Sequence, residues 1–252
     1  MNKYPNIKYL VFDLDDTLLR RDRTISDYTV EVLKKAQDKG MFIVFNTSRS
    51  VQHSQRYIDL VHPDYGIYSG GCQIFNKDKE IFSRLIPSDD VETITKYLTS
   101  LGMMISVQTK TTFYASDKEY KGQNAVWTDF SSGLKEAAFK ILAFSMDFKL
   151  VKEIADKFNL EWQNYLGSGW NRLSIKGATK WNGIEHLLEL VNGNKIEVAA
   201  FGDDYGDMEM IEQSGLGVGM ANSKKEVLDI APNITLSNDE DGCAKFIENN
   251  LL

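Results

Sequence analysis

Two apolar runs that each end in a cluster of carboxylates constrain this chain more than any other feature. Ile7 to Phe12 runs directly into Asp13-Leu14-Asp15-Asp16, and Glu197 to Phe201 (EVAAF) runs into Gly202-Asp203-Asp204-Tyr205-Gly206-Asp207. A short apolar run of this kind reads as a strand covered on both faces, as in a parallel sheet, and its carboxyl end is where open α/β sheets place their ligands. Helical patterns alternate with such strands at both ends of the chain. Ser26 is positioned as an N-cap, Val30, Leu33 and Ala36 recur at three-residue steps, and Gly40 stands where a helix stops, before the strand-like Met41 to Phe45. Near the C-terminus a helix is expected over Thr179 to Val191, closed by Gly193, followed by EVAAF, LGVGM and NITL with helices around Met208 to Gln213 and Lys225 to Ile230. This alternation predicts a doubly wound α/β sheet.

The middle of the chain breaks the pattern. QIF, EIF, MMISVQ, TTFYA, FKILAF, EWQNY and NRLSI are strand-like, with helices expected only from Asp89 to Leu101, where Asp89 and Glu92 are spaced as a capping box, and near Lys149 to Phe158. A strand-rich α+β block of this kind predicts an inserted cap domain over residues 83–175, between core segments 1–82 and 176–252. Trp127, Trp162, Trp170 and Tyr165 read as buried aromatics of that block rather than as a sugar-binding cleft.

Composition removes several classes of function. The net charge of −7 is unlike that of a general nucleic-acid binder, which needs clustered Lys and Arg, yet it permits phosphate chemistry at a bound cation. No apolar stretch approaches the ~20 residues needed to span a bilayer, and no signal peptide is evident. Cys72 and Cys243 are too few for a disulfide framework or a zinc site and read as buried thiols of a cytoplasmic protein; His53, His62 and His186 form no metal-binding pattern. Oligomeric state is open.

A lone D-x-D more often caps a helix or fills a turn than catalyses. Here the second cluster changes the weighting, because Asp203, Asp204 and Asp207 converge on Asp13 and Asp15 if their strands are neighbours. Crowded carboxylates repel unless a cation or shared protons hold them, and a hard divalent ion, Mg2+ above all, is the expected partner. The two-residue spacing in extended backbone places Asp13 and Asp15 on one side. Neighbouring charge and desolvation are expected to raise the Asp15 pKa. GLGVGM is no dinucleotide fingerprint, since Met220 stands where the third glycine belongs. Arg49 and Arg172 either approach the cleft or form surface ion pairs. Asn222 either makes a turn or contacts phosphate.

These elements together resemble the haloacid dehalogenase (HAD) superfamily. DLDDT at Asp13 to Thr17 is similar to its D-x-D-x-T signature; Thr47 in NTSRS, Lys180 at a helix start and the Asp203/Asp207 pair follow in the family's order, and the ending VGMANSKKEVLDIAPNITLSNDEDG resembles Cof-type, subclass IIB, sucrose-phosphatase-like hydrolases. The resemblance implies a HAD-like Rossmannoid core with a C2B-type cap. It implies Asp13 as nucleophile and Asp15 as general acid and base, with Thr47 and Lys180 on the transferring phosphoryl group. Mg2+ would be held by Asp13, Asp203, the Asp15 carbonyl and, through water, Asp207. Thr17, Ser48, Arg49, Gly70 and Asn222 are the candidate substrate-binding residues. The chain departs from the pattern at Asp16, Ser48, Gly70 and Gly206, none of which removes a catalytic side chain. The expected activity is hydrolysis of a small phosphorylated metabolite, a sugar phosphate foremost, with a sugar phosphomutase or a noncatalytic phosphometabolite sensor as alternatives.

Overall fold

The computed structural model describes residues 3–119, 124–165 and 168–252. In chain order the elements are β1 (Tyr9–Phe12), α1 (Asp27–Asp38), β2 (Phe42–Asn46), α2 (Val51–Val61), β3 (Tyr65–Tyr68), β4 (Gln73–Asn76), β5 (Lys79–Ser83), α3 (Ser88–Ser100), β6 (Met104–Thr109), β7 (Phe113–Ala115) and β8 (Val126–Trp127). There follow β9 (Ala138–Phe144), α4 (Phe148–Lys157), β10 (Leu160–Asn164), β11 (Trp170–Ile175), α5 (Lys180–Val191), β12 (Val198–Gly202), α6 (Met208–Gln213), β13 (Leu216–Gly219), α7 (Lys225–Ile230), β14 (Asn233–Ile234) and α8 (Gly242–Asn250). The chain divides into two units, Met1–Phe82 with Thr179–Leu252, and Ser83–Ala178. No helix among the described residues is long and apolar enough to cross a membrane.

The first unit is built on a sheet of strand order β14-β13-β12-β1-β2-β3-β4-β5. From β14 to β3 the neighbours are parallel, and β4 turns back antiparallel to β3. Alternation along β1 explains its apolar run. Leu10 and Phe12 join Leu33, Phe45, Phe201 and Phe246 on one face, and Tyr9 and Val11 join Val44, Trp181, Ile184 and Leu187 on the other. Both faces are therefore covered, which is what a strand without polar alternation requires. Ser26 caps α1 as expected, its hydroxyl accepting from Thr29 N at 3.0 Å. The helix after Thr179 ends at Val191 as expected, but Asn192 rather than Gly193 takes the left-handed turn, at φ 53°.

The second unit is a sheet of order β10-β11-β9-β6-β7-β8, with α3 and α4 contributing to a core of Ile94, Leu98, Ile105, Val107, Ile141, Val151 and Leu173. The capping box at Asp89 and Glu92 is not formed. The helix starts at Ser88 with Pro87 at the cap position, two residues too early for Asp89 to serve as its cap. The tryptophans also divide differently from the sequence expectation. Trp162 packs against this core, whereas Trp127 is 48% exposed beneath the Lys118 ammonium.

Candidate active site

β1 and β12 are adjacent parallel strands with Phe12 paired to Phe201, so the residues that follow them arrive together. Asp13 extends the ladder by one bond, its N–H donating to Phe201 O at 3.0 Å. Its carboxylate then meets those of Asp203 and Asp207, with one oxygen from each lying within 4.8 Å of the others, and all three residues are buried. Lys180, the first residue of α5, reaches the same point: its Nζ lies 2.7 Å from Asp13 Oδ1 and 2.5 Å from Asp207 Oδ1. Thr17 donates its hydroxyl to Asp203 Oδ1 at 2.6 Å, so this candidate substrate ligand is a partner of an acid.

One ammonium faces three carboxylates. Burial raises the Asp13 pKa well above the ordinary carboxylate range, partly offset by Lys180 and reinforced by Asp207 and Asp203. Burial and the Asp207 charge push Asp203 up to about 7, against the Thr17 hydrogen bond and Lys180. Burial alone would lower the Lys180 pKa, but Asp13 and Asp207 outweigh it and keep the ammonium charged. The positive charge is short of the negative, and the free donors are hard oxygens. Both properties fit a divalent cation held by carboxylates.

Asp15 is placed differently from the expectation. The extended backbone stops at Asp13, and Leu14–Leu18 forms an irregular helical turn with Asp16 at φ 57°. Asp15 leaves the strand and is clamped by Arg49, whose Nε donates to Oδ2 at 2.7 Å and Nη2 to Oδ1 at 2.6 Å, while Arg23 Nη1 also donates to Oδ1. Burial works to raise its pKa, but the hydrogen bonds and charge of Arg49, with Arg23 and Lys180, prevail and lower it. The raised value expected from neighbouring acids is thus reversed, because sequence spacing shows the nearby carboxylates but not a guanidinium delivered by another loop.

Thr47 follows β2 and is 1% exposed; its carbonyl accepts from Gly70 N at 3.0 Å and its hydroxyl from Arg49 N at 3.2 Å. Ser48 lies between Thr47 and the Arg49 clamp. Asn222 has both ends of its amide occupied within the protein, donating to Asp16 O at 2.8 Å and accepting from Asn238 N at 2.9 Å. It secures the turn that carries the first acidic motif. Arg172 lies in the second unit, 2% exposed, and donates to Ala178 O at 2.8 Å.

Three contributors escaped the sequence reading. Arg23 has no periodicity to betray it. Asn46, fully buried, donates to Lys180 O at 3.0 Å and so ties the start of α5 to the end of β2. Gly202 ends β12 where a Cβ would lie 2.3 Å from that of Asp207; only glycine admits the acid so close. Gly202→Ala is expected to displace Asp207, and Lys180 with it, lowering Tm and kcat together. Wild-type values of both would contradict this packing.

Comparison with known proteins fits this geometry: residues 10–247 match the haloacid dehalogenase-like hydrolases. The chain belongs to that family. This haloacid dehalogenase-like hydrolase is 27% identical over 253 residues to a 5-amino-6-(5-phospho-D-ribitylamino)uracil phosphatase of Bacillus subtilis, covering 96% of this chain and 95% of the relative. Among solved structures it is similar to a haloacid dehalogenase-like hydrolase from Bacteroides thetaiotaomicron, with TM-score 0.83 and 23% identity over 96% of this chain and 99% of that one. It is also similar to a subclass IIB sugar phosphatase, with TM-score 0.80 and 22% identity over 96% and 98% of the two chains. The haloacid dehalogenase-like hydrolase described here is a phosphatase.

Proposed function

We propose that the chain is a magnesium-dependent phosphomonoesterase acting on a small sugar or sugar-alcohol phosphate through an aspartyl-phosphate at Asp13. The observation that carries this reading is the buried Asp13, Asp203 and Asp207 cluster closed on Lys180. The B. subtilis relative, a phosphatase of a phosphorylated ribitylamino compound, supports the substrate class.

In the first step Asp13 attacks phosphorus and the P–O bond to the alcohol breaks, the alkoxide leaving with a proton from Asp15. In the second, Asp15 as carboxylate takes a proton from water, the water oxygen attacks the phosphorus, and Asp13 and inorganic phosphate are released. Thr47 and Lys180 donate to the equatorial oxygens, where charge spreads during transfer. The arginine clamp keeps Asp15 ionised. An incoming phosphate competes with Asp15 for Arg49, and that exchange is what lets Asp15 take up the proton it delivers. Asp13, Asp203 and the Asp15 carbonyl would hold magnesium, with Asp207 in support, and the ion supplies the positive charge that Lys180 alone does not. The unit formed by residues 83–178 is the cap, which sets substrate choice.

Hydrolysis of p-nitrophenyl phosphate is expected to vanish with chelator and to return with magnesium. Calcium should support it poorly, because its looser coordination misplaces nucleophile and phosphate. Full activity in metal-stripped protein would refute the reading.

A further inference from the structure

Between β3 and β4 the chain turns in a conformation that a hairpin does not need. Tyr68 pairs with Gln73, so the connection is Ser69-Gly70-Gly71-Cys72, and its first three residues all lie in the left-handed region, at φ 55°, 69° and 93°. A four-residue hairpin loop is ordinarily built around a type I turn, whose central residues have negative φ. Left-handed residues in succession are costly, and Ser69, which is buried, lacks the freedom of the glycines. Strain of this kind persists only where the surrounding contacts hold it.

Those contacts lead to the elements of the active site. Ser69 N donates to Arg49 O at 2.8 Å and Gly70 N to Thr47 O at 3.0 Å, so both ends of the segment Thr47-Ser48-Arg49 are tied to the turn. Thr47 N donates in turn to Ile67 O at 2.9 Å. The turn is thus fixed to the end of β2. Gly71, the next residue, lies against the start of α5, where a Cβ would stand 2.9 Å from the carbonyl carbon of Thr179 and closer still to its oxygen. Thr179 caps that helix, its hydroxyl accepting from Asn182 N at 3.0 Å and its carbonyl from Gly183 N at 3.0 Å, and the residue after it is Lys180. A second glycine meets the turn from the helix side: a Cβ on Gly183 would stand 3.1 Å from Gly71 Cα and 2.6 Å from Ile67 Cγ2. Turn and helix therefore approach more closely than side chains on either would permit. All of these residues belong to the first unit.

We propose that Gly71 is the positioning residue of Lys180: the absence of a side chain there sets the depth at which α5 docks on the turn, and that depth places the ammonium 2.7 Å from Asp13 Oδ1 and 2.5 Å from Asp207 Oδ1. Asn46, which holds Lys180 O from the end of β2, belongs to the same frame. The left-handed run brings a residue without a Cβ to this point while its two predecessors stay latched to Arg49 and Thr47. For its effect on rate the inference rests on the proposed place of Lys180 at the transferring phosphoryl group. Relieving the overlap of a new Cβ requires Thr179 to retreat by about 1 Å, and a misplacement of that size costs roughly 10²-fold.

The test is a pair of double-mutant cycles on the full chain. Gly71→Ala is expected to lower kcat/KM for p-nitrophenyl phosphate in the presence of magnesium by roughly 10²-fold, yet to add no more than about twofold to the loss in Lys180→Met, because the group it displaces is then already absent. A contribution to folding alone would lower kcat/KM by the same factor in both backgrounds. The second cycle follows unfolding of the metal-free protein, where the losses from Gly71→Ala and Lys180→Met should again be less than additive. Alanine at φ 93° is strained in its own right, so Gly183→Ala repeats both cycles from the helix side, where alanine is the better helix former; should Gly71→Ala fail to fold, Gly183→Ala decides. Additive losses in both cycles, or wild-type kcat/KM in the glycine variants, overturn the positioning. Coupling in the unfolding cycle together with wild-type turnover in Lys180→Met upholds the positioning and removes Lys180 from the reaction instead.

Discussion

Asp13→Asn is expected to abolish both turnover and covalent phosphoryl labelling, because the substitution removes the proposed nucleophile and one of the three clustered carboxylates together. Asp15→Asn has a different outcome. It keeps the backbone carbonyl at Leu14–Leu18, and loses the charge that pairs with Arg23 and Arg49 together with the proposed proton donor and later base. With an alkyl phosphate the first step should slow by roughly the 10²–10⁴-fold typical of general acid catalysis. An activated aryl phosphate needs little proton assistance, so Asp13 still becomes phosphorylated while hydrolysis of the intermediate stalls. Rapid-quench mass spectrometry of Asp15→Asn should find phosphate on the peptide containing Asp13. Label on another residue, or wild-type turnover in Asp13→Asn, would show that the nucleophile lies elsewhere.

Lys180→Met should produce the largest loss of stability. Lys180 is 8% exposed and is the ammonium shared by Asp13 and Asp207. Its removal leaves buried carboxylates without compensation, a change that typically costs about 3–5 kcal/mol. The sign of the pH dependence follows from the raised pKa values. An unfolded aspartate titrates near ~3.9, whereas folded Asp203 stands at about 7 and Asp13 is also raised. Between those values the folded state holds more protons than the unfolded one, so stability falls as pH rises through this window. Loss of the ammonium moves both groups further up and steepens the fall. In metal-free protein the Tm deficit of Lys180→Met should therefore be small near the acid end of the window and large at its alkaline end, with added magnesium recovering part of it. A Tm that tracks wild type at every pH would remove Lys180 from its place as the charge holding the cluster.

What the sequence made legible follows the physics of each signal. Apolar runs at Ile7–Phe12 and Glu197–Phe201 report burial on two faces, and parallel pairing of two such strands brings Asp13 to Asp203 with no knowledge of side-chain detail. The alternating sheet was readable for that reason. The surroundings of Asp15 were not. Its backbone leaves the strand within two residues, and its partners Arg23 and Arg49 come from loops whose approach depends on packing rather than on periodicity. The same limit applies to Asn222, whose partner Asp16 is remote in sequence. Aromatic positions on short strands were ambiguous because burial depends on which face each residue takes. Trp162 and Trp170 lie on adjacent strands yet point to opposite faces, one to the core and one to the face of Met104 and Leu142.

The central position of β1 has a consequence for how the chain is made. β1 emerges from the ribosome before the other strands described here, but one of its two neighbours, β12, follows it by more than 180 residues. Until residues 198–202 have been synthesised, an apolar strand with one unpaired hydrogen-bonding edge stands exposed on the nascent chain, and until residue 180 has been made Asp13 lacks its ammonium partner as well. Such an edge is a template for pairing with other chains. Translation that stalls within the inserted block should therefore yield aggregation-prone, inactive chains that depend on holdase chaperones, and competence for chemistry should arise in a single late step when β12 docks.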